Sequence, residues 1–115
     1  MTAEEFRKLA LSFPETIEAS HVGHPDFRVR GKIFATLGYP DRRFGVLNLP
    51  PELQKEVVAR HALVFAPAAG AWGRAGSTTV LLETANVESL RPLLELAWKH
   101  IAAKGRRGKT PDRRL

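Results

Sequence analysis

The chain has 115 residues, 43% of them hydrophobic, and its 18 basic and 12 acidic side chains leave a formal charge of +6. That length suits a single domain around one core, and the composition excludes both a disordered and a membrane-embedded chain. The absence of cysteine excludes disulfides, thiolate metal sites and a cysteine nucleophile.

The first element is a helix. Thr2 and Glu5 have the spacing of a capping box, and Phe6, Leu9, Ala10 and Phe13 recur on one face until Pro14 stops the pattern. The acidic start, Met1-Thr2-Ala3-Glu4-Glu5, is not that of a secretory signal, and no apolar run approaches the ~20 residues of a membrane span. A cytoplasmic protein with no membrane partner is expected.

Strands are predicted over Thr16–Val22, Phe27–Arg30 and Lys32–Gly38, the last two interrupted by Gly31. Tyr39-Pro40-Asp41-Arg42 reads as a turn, and Phe44–Leu49 returns as another strand. Together these form an antiparallel meander. Pro50 and Pro51 then open a short helix carrying Leu53 and Val57. Leu63–Phe65 is a brief strand, and a small-residue stretch from Ala66 to Gly76 leads into the β-prone run Thr78–Glu83. The last helix carries Leu90, Leu94, Ala97, Trp98 and Ile101 on one face, with Ser89 as N-cap and Pro92 in the first turn. Phe6, Leu9, Phe13, Ile33, Leu37, Val46, Leu81, Leu90, Leu94 and Trp98 are the expected core.

The charge is unevenly spread. Seven of the basic residues and a single acid, Asp112, lie from Lys99 onward, leaving eleven of each sign in positions 1–98. The body is neutral, and the pI of about 10.3 belongs to the end of the chain. Gly105 is expected to end the order, with residues 105–115 a mobile basic tail that adds phosphate affinity or serves only solubility.

In the first hairpin Arg28, Arg30 and Lys32 alternate with Phe27 and Val29, so the cations are expected to point into water. Such a ribbon suits an acidic surface, nucleic acid above all. The same pattern is also an ordinary solvated strand face that discourages edge pairing. Arg42 and Arg43 extend the patch from the next hairpin.

Other motifs carry less. His21-x-x-His24-x-Asp26 is not expected to bind metal, because positions 21 and 24 of one strand face opposite sides. Glu15 and Glu18 lack a partner nucleophile. The segment Gly70–Thr78 lacks the lysine of a phosphate loop and precedes a strand instead of a helix. Within it Trp72 is expected to plug the sheet edge, the alternative being a base-stacking edge shared with an exposed Arg74.

Phe13-Pro14-Glu15-Thr16, Gly23-His24-Pro25-Asp26-Phe27-Arg28-Val29, Lys32-Ile33-Phe34-Ala35, Phe65-Ala66-Pro67-Ala68, Trp72-Gly73 and Ala97-Trp98 follow one another along the chain. In these motifs the sequence resembles the MmcQ/YjbR family over residues 3–103. It departs at Arg42–Leu49, which lacks the tryptophan and lysine frequent there in that family. The resemblance implies a small α+β domain, helices against an antiparallel sheet, and DNA binding through a double-wing motif.

The expectation is therefore a two-layer α+β domain over residues 1–104. A sheet of about five to six antiparallel strands packs against N-terminal, middle and C-terminal helices. The expected role is non-enzymatic, phosphate-directed DNA binding with little sequence preference, through Arg28, Arg30, Lys32, Arg42, Arg43 and Arg74. No catalytic residue, metal or cofactor is expected. The alternative is an interaction module that takes an acidic protein or peptide.

Overall fold

A computed structural model describes residues 1–109 of the chain. The elements run α1 (Ala3–Leu11), β1 (Thr16–His21), β2 (His24–Val29), β3 (Lys32–Leu37), β4 (Phe44–Asn48), α2 (Pro51–Arg60), β5 (Phe65–Pro67), α3 (Gly70–Arg74), β6 (Ser77–Leu81) and α4 (Val87–Lys109), with a 3-10 turn at Leu82–Thr84. The six strands form one antiparallel sheet in the order β1-β2-β3-β4-β6-β5. This is the α+β fold read from the sequence.

Local chemistry accounts for most boundaries. The capping box at Thr2 and Glu5 is present, each side chain bonding the other's backbone N–H. The β1–β2 and β2–β3 connections are two-residue loops, Val22-Gly23 and Arg30-Gly31, with positive φ at all four positions. That is the type I′ geometry whose twist suits a tight hairpin, and glycine is the residue that adopts it freely.

Phe27, Ala35, Leu47 and Thr78 fall in one cross-strand row and are fully buried. They face the helical layer, where Phe6, Leu9, Leu90, Leu94, Ala97 and Ile101 complete the core. The next row, Asp26, Thr36, Val46 and Thr79, lies on the outer face of the sheet.

The structure corrects several expectations. Ile33 is only half-buried, because a bulge opposite Phe27 and Arg28 breaks the alternation and sends Phe34 into the core, edge-on to Phe13 at 6.5 Å. Leu81 is also half-buried, since it continues the outer row of β6. Phe13 and Trp98 are half-buried and stack on each other at 6.3 Å, the indole N–H donating to the Pro14 carbonyl. Asn86, not Ser89, caps α4 by accepting from the Ser89 N–H, so Pro92 sits inside the helix. The short helix α3 occupies what reads as a small-residue connection.

α4 runs past Gly105 to Lys109. A Cβ at position 105 would lie 2.7 Å from the Arg30 Cβ and 3.2 Å from its carbonyl oxygen, so glycine lets the helix close on the β2–β3 turn. Arg30 bonds the Ala102 carbonyl at 3.3 Å from the same contact. The remaining tail positions, 110–115, lie outside the described residues.

Gly105→Ala should lower the thermal midpoint, although alanine favours an exposed helix by about 1 kcal/mol over glycine. Differential scanning calorimetry checks it, and a raised midpoint would mean that α4 does not rest on this turn.

Candidate functional site

The six expected cations do not form one patch. Arg28 spans the Asp26 carboxylate, Nε to Oδ1 at 2.7 Å and Nη2 to Oδ2 at 3.0 Å. Arg30 turns back along the chain to Glu15, with Nε 3.2 Å from Oε1, and to Ala102. Neither guanidinium points simply into water, because Arg28 is held by the Asp26 carboxylate and Arg30 by Glu15 and the Ala102 carbonyl of α4. Arg43 grips Asp41 through Nε at 3.0 Å and Nη2 at 2.9 Å, and its guanidinium carbon sits 5.2 Å from the centre of the Phe44 ring. Lys32, Arg42 and Arg74 are exposed and make no ion pair among the described residues.

The cations also divide between two ends of the sheet. Lys32 lies at the β2–β3 turn, and Arg74 precedes β6, whose Ser77 pairs with Asn48 while the Asn48 amide bonds the Ile33 carbonyl. The C-terminal end of α4 reaches this same end through the Arg30–Gly105 contact. Arg42 and Arg43 belong to the opposite end, where the 38–43 loop, which carries a cis Tyr39–Pro40 bond, meets the β1–β2 turn. Six-residue strands separate the two ends by roughly 17–20 Å. Trp72 is 74% exposed, so it does not plug the sheet edge but stands on α3 two residues before Arg74.

On the outer face near the second end is a cluster the sequence reading divided wrongly. His21 and His24 do not face opposite sides. They are direct cross-strand partners, because the two-residue turn falls between them, and their ring centroids lie 6.2 Å apart. His21 Nδ1 is 2.7 Å from Asp26 Oδ2, and Tyr39 meets the His24 ring edge-on at 5.8 Å. Among the described residues no three His, Cys, Asp or Glu side chains are grouped to hold a metal ion. On the helical side of the same hairpin a shallow, open depression borders Arg7, Glu18, Ser20 and Pro25, and there Arg7 and Glu18 neutralise each other at 2.6 Å.

Asp26 is fully buried despite lying on the outer face, and Thr36 and Val46 beside it are nearly so. The Arg28 hydrogen bonds hold its carboxyl below the usual carboxylate range, against the opposing effect of burial, and His21 adds to the lowering. The exposed Asp41 is held at about 2 by the Arg43 side chain and backbone N–H. A signal for the Asp26 cluster existed in the sequence: Asp26-x-Arg28 places both side chains on one face of a strand.

The sign of the Asp26 effect follows from its lowered value. Its contribution to stability is complete above the ordinary carboxylate value of 3.8 and is lost as pH falls through the folded-state value. Asp26→Asn should therefore lower the thermal midpoint at pH 7 on the order of 5 °C. The gap from the parent should narrow steadily in acid. A gap independent of pH would show that the carboxylate is not ionised in the folded protein.

Comparison with known proteins identifies the fold and its family. The YjbR family model matches residues 11–100. Among solved structures, the crystal structure of the Deinococcus radiodurans protein DR2400, a DUF419-domain protein, aligns with a TM-score of 0.77 at 21% identity, covering 90% of this chain and 80% of that one. At that identity the likeness establishes the fold alone. No curated protein matches the chain. Among the described residues no helix is long and apolar enough to cross a membrane. With most of its length matched by the family model, this chain belongs to the YjbR family.

Proposed function

We propose that the protein is a non-enzymatic, cytoplasmic DNA-binding protein that contacts phosphates through the end of the domain where the β2–β3 turn meets the C-terminal end of α4. The observation that carries this reading is the Arg30–Gly105 contact, which brings Lys32 beside a helix end whose sequence from Lys99 onward is basic. Trp72 and Arg74 add an exposed aromatic and a cation at the same end of the sheet, a combination suited to stacking on an unpaired base. Nothing in this set is a base-edge reader, so affinity comes mainly from counterion release and sequence preference is small. The double-wing description of the family agrees with a hairpin contact. Here the effective wing is the tip at Lys32, since Arg28 and Arg30 are engaged within the fold.

The second reading, an interaction module for an acidic protein or peptide, draws on the same cations and on the exposed Trp72. Salt separates the two. Neutralising about four phosphates weakens DNA binding on the order of 100-fold between 50 and 200 mM salt.

Fluorescence anisotropy with random single- and double-stranded DNA tests the proposal. The intact protein should bind with that salt dependence, and Lys32→Gln with Arg74→Gln should reduce the log–log slope by about two. Absence of binding at 50 mM salt, or a slope unchanged in the double variant, would overturn it, and saturable binding of an acidic peptide would then favour the second reading.

A further inference from the structure

The outer-face cluster lies at the other end of the domain, and its arrangement has a chemistry of its own. A carboxylate removed from water on the outward face of a sheet is expensive, and a well-packed apolar residue would serve stability as well. Asp26 instead spends all of its visible hydrogen bonding on two side chains that remain partly in water. Arg28 is 30% exposed and His21 43% exposed, against 0% for Asp26. Both bond the same oxygen, Oδ2, at 3.0 Å and 2.7 Å, so their nitrogens are no further apart than those two bonds allow.

The carboxylate leaves each partner with a defined free edge. Nε and Nη2 of Arg28 are taken, and Nη1 makes no hydrogen bond among the described residues. With His21 Nδ1 donating to Asp26, Nε2 makes no hydrogen bond among the described residues, and it offers a lone pair in the neutral ring and an N–H in the imidazolium. His24 and Tyr39 flank this pair on the same face. The cluster thus presents a fixed guanidinium donor beside a fixed imidazole that either donates or accepts.

We infer that this face of the β1–β2 hairpin is a binding site for a phosphomonoester group, held by Arg28 and His21 with Asp26 as the residue that positions both. A phosphomonoester has anionic oxygens for the guanidinium and a titratable proton near neutrality, with a second pKa of about 6. It therefore satisfies His21 Nε2 in either protonation state, accepting from the imidazolium or donating its own proton to the neutral ring. A sulfate has comparable charge and shape but no proton to offer at that pH. The site does not depend on the basic end at Lys32.

The chain contains four histidines, and only His21 and His24 belong to this face, which makes them internal reporters against His61 and His100. The full chain is titrated with inorganic phosphate, and with sulfate at equal ionic strength, while the imidazole Hε1 resonances are followed. Saturable shifts confined to His21 and His24, at least fivefold tighter for phosphate than for sulfate, support the site. His21→Gln leaves the Asp26–Arg28 pair intact and should weaken phosphate binding at least tenfold without loss of the folded spectrum. Short oligonucleotides with and without a 5′-phosphate identify the source. A preference for the phosphorylated strand supports the site as a reader of strand ends, and phosphate binding without that preference supports it as a site for small phosphomonoesters. Shifts absent at His21 and His24, equal at all four histidines, equal for phosphate and sulfate, or unchanged by His21→Gln would overturn it.

Discussion

The Asp26 carboxylate decides what the first hairpin can do. It is fully buried on a face that otherwise looks outward, and its low pKa depends chiefly on Arg28. Because the guanidinium must remain over the carboxylate, Arg28 is lost to a mobile cationic ribbon and gained by a rigid cluster. The hairpin register then brings His21 opposite His24 and within reach of the same oxygen. A buried ion pair of this kind adds little net stability over an apolar replacement, but losing one partner is costly. Its value lies in the orientation it imposes.

Arg30 plays the corresponding part at the other end of the strand. Its backbone adopts a positive φ in the type I′ turn, while its side chain reaches Glu15 and the Ala102 carbonyl. One residue thus ties the hairpin tip, the α1–β1 connection and the last turns of α4 together. The consequence is a domain with two chemically different ends. One carries Lys32, Arg74 and the turn of α4 at Ala102–Gly105 that rests on Arg30. The other combines donors and acceptors around a buried acid. The YjbR fold supplies the sheet that separates them, and the side chains at each end carry the functional argument.

Much of this architecture was legible before the structure. Helical spacing of Phe6, Leu9 and Ala10, and of Leu90, Leu94 and Ala97, identifies the first and last helices, and period-two segments identify the meander. What escaped has specific causes. β2 begins at His24 and not at Phe27, with Pro25 inside it, so His21 and His24 lie on paired strands and not on one. The bulge at Phe34 cannot be seen in a pattern that assumes strict alternation. The partners of Arg28 and Arg30 lie two and fifteen residues away, and only the first separation is a sequence signal. Trp72 was expected in the sheet edge from the general burial tendency of tryptophan, whereas α3 turns it outward. Charge alternation alone therefore overstates how many hairpin cations are unpaired, because it counts Arg28 and Arg30 without their acidic partners.

A double-mutant cycle on unfolding stability, built from Asp26→Asn, Arg28→Gln and their combination, tests the central claim most directly. If Asp26 and Arg28 act as one unit, either single substitution leaves the other partner uncompensated. The combined variant should then be no less stable than the worse single variant. Losses that simply add would mean that Arg28 is an independent surface cation, and the division of the domain into two chemically distinct ends would fall with it.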